Sequence, residues 1–128
     1  MKLARNLICL SASLLAIVAL AGCKQGARSL PLDQDVARQS LETFLKSWKE
    51  GKKPADLKNA TPSIVVGDPD WEAGKTLVDY KRLPEERSDG TNLHTSVEAT
   101  LTDASGATRT RTINYIVGTS PVITIFRP

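Results

Sequence analysis

His94 is the single histidine in this 128-residue chain. An imidazole is the ordinary first choice for a general base or a metal ligand near neutral pH. His94 falls on the polar phase of its segment, opposite Leu93 and Val97, with no second ligand or orienting carboxylate nearby in sequence. Catalysis needs a placed partner, so His94 is expected to be a solvated strand residue without catalytic or structural role. Asp68, Asp70 and Glu72 alternate in "GDPDWEAG", and alternating oxygen donors suggest calcium. The EF-hand frame fails, because the sixth position from Asp68 is Ala73 and the twelfth is Asp79. Asp-Pro starts a turn, so turn chemistry is expected here, with Trp71 folded onto the core. Arg109 and Arg111 share a strand face with Ile113 and Tyr115. They would present a carboxylate or phosphate site, or mark a hairpin that reaches past the core. Lys46, Lys49, Lys52, Lys53 and Lys58 cluster around a helix end. Cations there offset the helix dipole; the alternative is contact with anionic lipid headgroups. Trp48 and Trp71 read as core aromatics rather than binding aromatics. The sequence has no GxSxG, HExxH, CxxC or P-loop pattern. No catalytic residue, cofactor or metal site is expected.

The two cysteines, Cys9 and Cys23, lie near the N-terminus. Lys2 and Arg5 precede an uncharged run from Leu7 to Ala21. That run is shorter than the ~20 residues of a spanning helix, and its layout is that of a secretory signal peptide over residues 1–22. Leu20-Ala21-Gly22-Cys23 closes it and resembles a bacterial lipobox. The resemblance covers the first 23 residues. It implies diacylglycerol on the Cys23 sulfur, cleavage between Gly22 and Cys23, and acylation of the new N-terminus, with palmitate-type chains. The motif has a physical logic: a thiolate is the nucleophile that takes the lipid. Two or more chains anchor stably, at ~0.8 kcal/mol per buried CH₂. Lys24 follows, not the Asp that retains many lipoproteins at the inner membrane in some bacteria, so the outer membrane is favoured where a source has two. The implied location is the bacterial cell envelope, with the domain exported from the cytoplasm.

Cleavage there leaves 106 residues, enough for one domain. With Cys9 removed and Cys23 lipidated, the folded part has no thiol and no disulfide, and stability must come from packing. Loss of Lys2 and Arg5 leaves 15 basic against 14 acidic side chains. This near-neutral balance has no nucleic-acid footprint.

Residues 23–31 read as a lipidated N-terminus and polar tether, and 32–128 as a single domain. A helix is expected from Asp33 to Glu50, with Asp33 as N-cap and Gly51 as its stop. Ala37, Leu41, Phe44, Leu45 and Trp48 form its apolar stripe. Pro54 to Asn59 adds one more helical turn. Strands are expected at Ser63–Val66, at Thr76–Leu83 (ended by Pro84), at Asn92–Thr102, at Thr108–Val117 and at Val122–Phe126. Asp103-Ala104-Ser105-Gly106 is the turn of a hairpin. The fold class is therefore α+β: one long N-terminal amphipathic helix packed on a four- to five-stranded antiparallel meander sheet. This order of elements resembles the cystatin-like and NTF2-like groups, through topology alone. NTF2-like enzymes place acids and histidine in a conical pocket, and that resemblance brings no catalytic residue onto this chain.

Together these features point to a lipid-anchored envelope protein with a small non-catalytic binding domain. Its membrane contact is the lipid at Cys23, and a protein partner is expected at the open sheet face or an exposed edge. The alternatives are an NTF2-like pocket protein, acting as ligand carrier or enzyme, and a purely structural envelope component. Replacing Cys23 with Ala is expected to leave a full-length precursor that takes up no fatty-acid analogue. Unchanged processing or labelling of that variant would refute the lipidation reading.

Overall fold

The structure, a computed structural model, describes residues 30–128. The segment expected to be a signal peptide, with its lipobox-like end and Cys23, lies outside the described residues.

The first helix, α1 (Gln34–Lys49), begins where a side chain can satisfy its free N–H groups: Asp33 Oδ1 accepts from the Val36 N–H at 3.0 Å. Asp35 sits in its first turn, Lys46 and Lys49 in its last, each offsetting the dipole end it occupies. Gly51, at φ +82°, takes the left-handed conformation that ends the helix. Two short helices follow, α2 (Pro54–Lys58) and, after β1 (Ile64–Gly67), α3 (Pro69–Glu72). Each opens on proline at its first position, where no N–H is missed. The turn expected at Gly67–Asp70 is thus a single helical turn capped by Asp68, which accepts from the Asp70 and Trp71 N–H groups.

The remaining strands are β2 (Thr76–Ser88), β3 (Asn92–Thr102), β4 (Thr108–Gly118) and β5 (Ile123–Phe126). The sheet order is β1-β5-β4-β3-β2. From β2 to β5 the chain is an antiparallel meander. The expectation of an all-antiparallel sheet fails at β1, which runs parallel to β5 from Ile64↔Ile123 to Gly67↔Phe126. The sheet is mixed. Parallel neighbours need a long crossover, and here α3 and the whole β2–β4 meander serve as that connection. The end expected for β2 at Leu83 also fails, since the strand continues to Ser88. Pro84 is tolerated because β2 is an edge strand. It lies in the register break between Arg82 and Glu86, where a missing N–H interrupts no ladder bond. At the β3–β4 hairpin the expected turn is present. Gly106 has φ +83°, and Asp103 Oδ1 accepts from the N–H groups of Ser105 and Ala107.

The core forms where the two periodicities meet. Ala37, Leu41, Phe44, Leu45 and Trp48 of α1 are buried together with Leu93, Val97 and Leu101 of β3 and Ile113, Tyr115 and Val117 of β4. Leu77, Ile64, Val66, Ile123 and Ile125 extend that face across the other strands. Phe44 is central: its ring stacks on Trp48 at 5.9 Å, lies 5.2 Å from Trp71 and meets Tyr115 edge-on at 5.5 Å. The chain enters this body at one end of the sheet. Leu30 N–H donates to Ser120 Oγ, Leu32 N–H to Gly90 O and Asp33 N–H to Thr119 Oγ1.

Phe44→Ala is expected to cost ~3–5 kcal/mol in chemical denaturation, a large part of the ~5–10 kcal/mol available to such a domain. The exposed Lys46→Ala is expected to leave the midpoint within experimental error. Equal midpoints for parent and both variants would show that α1 does not carry the core.

Candidate functional site

Asp68 is fully buried and Asp70 is 6% exposed. An isolated carboxylate in such a place would be strongly unfavourable, so its partners define the site. Tyr115 donates its hydroxyl proton to Asp68 Oδ2 at 2.5 Å, and Arg127 Nε donates to the same oxygen at 3.1 Å. Arg127 Nη2 lies 2.9 Å from Asp68 Oδ1, and its Nη1 lies 2.7 Å from Asp70 Oδ2. Asp70 is also paired with Lys75 Nζ at 2.7 Å and with Arg111. Burial works to raise the Asp70 carboxyl, but hydrogen bonds from Lys75 and Arg127 outweigh it and hold it at about 2. Burial pushes the Tyr115 phenol far above its usual range, and the Asp68 charge beside it adds to the effect. Arg127 is lowered by burial yet raised on balance by Asp68 and Asp70. These acids therefore face cations and a phenol. Among the described residues no group of three or more metal-ligating side chains converges. Glu72 stays exposed.

His94 is placed on the polar phase, as expected, but the expectation that no carboxylate lies near it in sequence is corrected. Asp89, five residues upstream, brings Oδ2 to 2.8 Å from His94 Nε2. Asp89 Oδ1 also accepts from the N–H groups of Thr91 and Asn92. The hydrogen bond with His94, aided by those two backbone donors, holds Asp89 well below the usual carboxylate range. His94 borders an open hollow of about 340 Å³ on the sheet face away from α1, with Arg87, Ser96, Asn114 and Ile116 among its walls. Ser96 Oγ donates to Asn114 Oδ1 at 2.7 Å. A histidine held by a carboxylate has a fixed ring orientation, and Ser96 is engaged with an amide.

Other sequence candidates separate. Trp48 and Trp71 are buried, and their indole N–H groups donate to Lys75 O and Lys52 O, each at 2.8 Å. Of the lysine cluster, Lys49 pairs with Asp79 at 3.5 Å and Lys52 with Glu50 at 3.6 Å. Arg111 is drawn to Asp70, whereas Arg109 makes no ion pair among the described residues. Along β4 both arginines occupy the phase of Ile113, on the hairpin's inner side, where the strand turns exposed.

Arg127, Lys75 and Asp89 are site residues that sequence reasoning passed over. Arg127 had a signal: it follows Ile123 and Ile125 on the same phase, and a charge on an inward phase requires a buried partner. Asp89 could have been read from the Asp-Gly turn that folds it back toward His94.

The folded state favours ionised Asp70, because its pKa there lies below the ordinary 3.8. Its contribution is thus complete above about pH 4 and lost as pH falls through about 2. In denaturation between pH 5 and 2, the parent is expected to lose on the order of 1–2 kcal/mol that Asp70→Asn does not lose. The two stability curves should converge near pH 2. Curves that stay parallel would remove Asp70 from the acid sensitivity of the fold.

No protein-family model, no curated protein and no solved structure matches this chain.

Proposed function

We propose that this chain is a lipid-anchored lipoprotein of the bacterial cell envelope, modified at Cys23. Its domain would be a non-catalytic binding module that meets a protein partner on the sheet face opposite α1. The observation that supports this reading is the make-up of that face. Across β3 and β4 its outward side chains pair with one another: Ser96 with Asn114, Thr100 with Thr110 at 2.9 Å, and Thr102 with Thr108 at 3.0 Å. Cross-strand pairing of this kind stiffens a surface. Beside this polar ladder, Phe126 and Val65 are exposed on β5 and β1, and Ile116 lies directly opposite Phe126 on β4. An apolar strip flanked by ordered polar groups is the usual anatomy of a protein interface. The helix-on-sheet arrangement also supports the likeness to cystatin-like and NTF2-like domains, although the parallel β1 departs from an antiparallel meander.

A second reading, a small pocket protein, draws on the hollow beside the His94–Asp89 pair. That hollow lies outside the helix–sheet core rather than within it, which favours surface binding over an enclosed ligand. No helix among the described residues is long and apolar enough to cross a membrane.

Affinity capture from crosslinked membranes tests the binding reading. The parent chain is expected to retain a discrete partner, and Phe126→Glu to reduce its yield roughly tenfold or more, as removal of an interface anchor does. Equal recovery by Phe126→Glu would move the interface off this face. Recovery of bulk envelope proteins alone would favour a structural component.

A further inference from the structure

On the α1 side of the sheet, where the β3–β4 hairpin projects beyond the core, Lys75, Arg109 and Arg111 line a small cavity. Leu101, Ala107 and Asp103 complete it, and its volume is about 120 Å³. That is room for about four waters at their ~30 Å³ share of liquid, the scale of one compact polyatomic anion. We propose that this cavity is a binding site for a phosphoryl group.

Charge counting supports it. Two buried carboxylates, Asp68 and Asp70, face three cations: Lys75, Arg111 and Arg127. One positive charge is left over; Arg109 adds another and Asp103 on the wall offsets it, so one positive charge remains in excess. Asp103, the one acid on the wall, is also held in its own turn. Its Oδ1 accepts from Ser105 N–H, Ser105 Oγ and Ala107 N–H. The cavity therefore holds two guanidinium groups and an ammonium with too few carboxylates to match. Arg111 and Lys75 are half in solvent, with side-chain exposures of 49% and 37%, so each has N–H donors to spare beyond Asp70. Guanidinium forks match the oxygens of a phosphoryl group in pairs, and the ammonium adds a point charge. A neighbouring hollow shares Lys75 and carries Lys52 and Lys53 beside Glu72. Arg111 and Lys75 are positioned by Asp70 before any ligand arrives. The site requires neither the lipid at Cys23 nor a partner on the opposite sheet face.

Titration calorimetry of the full chain in neutral detergent, with inorganic phosphate as probe, tests the site. Saturable one-to-one binding is expected, weakened tenfold or more by Arg109→Gln and by raised ionic strength. Lys46→Gln, at an exposed position of α1 outside this cavity, should bind as the parent does. Arg109 holds no structural ion pair, so Arg109→Gln should keep the parent's denaturation midpoint, which separates lost binding from lost folding. Glycerophosphoglycerol, a headgroup diester, serves as the second probe. Tighter binding of the diester would assign the site to a lipid headgroup. Tighter binding of inorganic phosphate would assign it to a soluble phosphate or monoester. Either result upholds the site. Absence of saturable binding, or equal affinity in parent and Arg109→Gln, would overturn it.

Discussion

A carboxylate with no exposed surface, Asp68, sets the terms for the rest of this domain. It caps α3, accepts the Tyr115 hydroxyl proton from the middle of β4, and holds Arg127 from beyond the end of β5. Three segments distant in sequence are thereby fixed around one anion. A buried charge left without its partner costs about 3–5 kcal/mol, so a packing that moved Arg127 away would be strongly disfavoured. The parallel β1–β5 pair lies directly upstream of both groups, since Gly67↔Phe126 is the last register pair before Asp68 and Arg127. The ion pair and the register thus specify one another. A slip of one residue would turn Arg127 to the opposite face and strand Asp68 in the core.

The aromatic cluster serves the same arrangement from the other side. Phe44 and Trp48 reach down from α1 to Trp71 on α3 and, through Phe44, to Tyr115 on β4. Burying two indoles requires a partner for each N–H, and the carbonyls of Lys75 and Lys52 supply them. Those bonds tie the end of α1 to the start of β2, and α3 to the segment after α1. In a domain with no cysteine among its described residues, packing and these few polar ties hold the whole assembly.

What could be read from sequence followed the length of the pattern. The helix over 33–50 and the strands at 92–102 and 108–117 carry many periods of 3.6 or 2, and each is found within a residue or so of its expected bounds. The two four-residue strands are different. "IVVG" and "ITIF" are strand-like runs, but nothing in them names the neighbour or the direction of pairing. From sequence Pro84 reads as a strand end because proline usually is one, and only the position of β2 at the sheet edge reverses that reading. The acids at 68 and 70 were legible as turn formers and not as ion-pair partners, because Arg127 lies 57 or more residues away and long-range pairing leaves no local mark. The lipobox belongs to a different category. It is read as a processing signal from residue type and order rather than from fold.

Pro84 has a consequence for the behaviour of the molecule in a crowded compartment. An exposed edge strand invites another chain to add itself, and repetition of that step builds fibrils. The outer edge of β2, the longest strand, is broken by an imino nitrogen and a register shift midway. No incoming strand can zip along its full length. At the other edge β1 offers only four residues, too short a template for stable augmentation. Both margins of the sheet therefore resist self-association, and copies of the domain can be held side by side at high local density without seeding polymerisation through their edges.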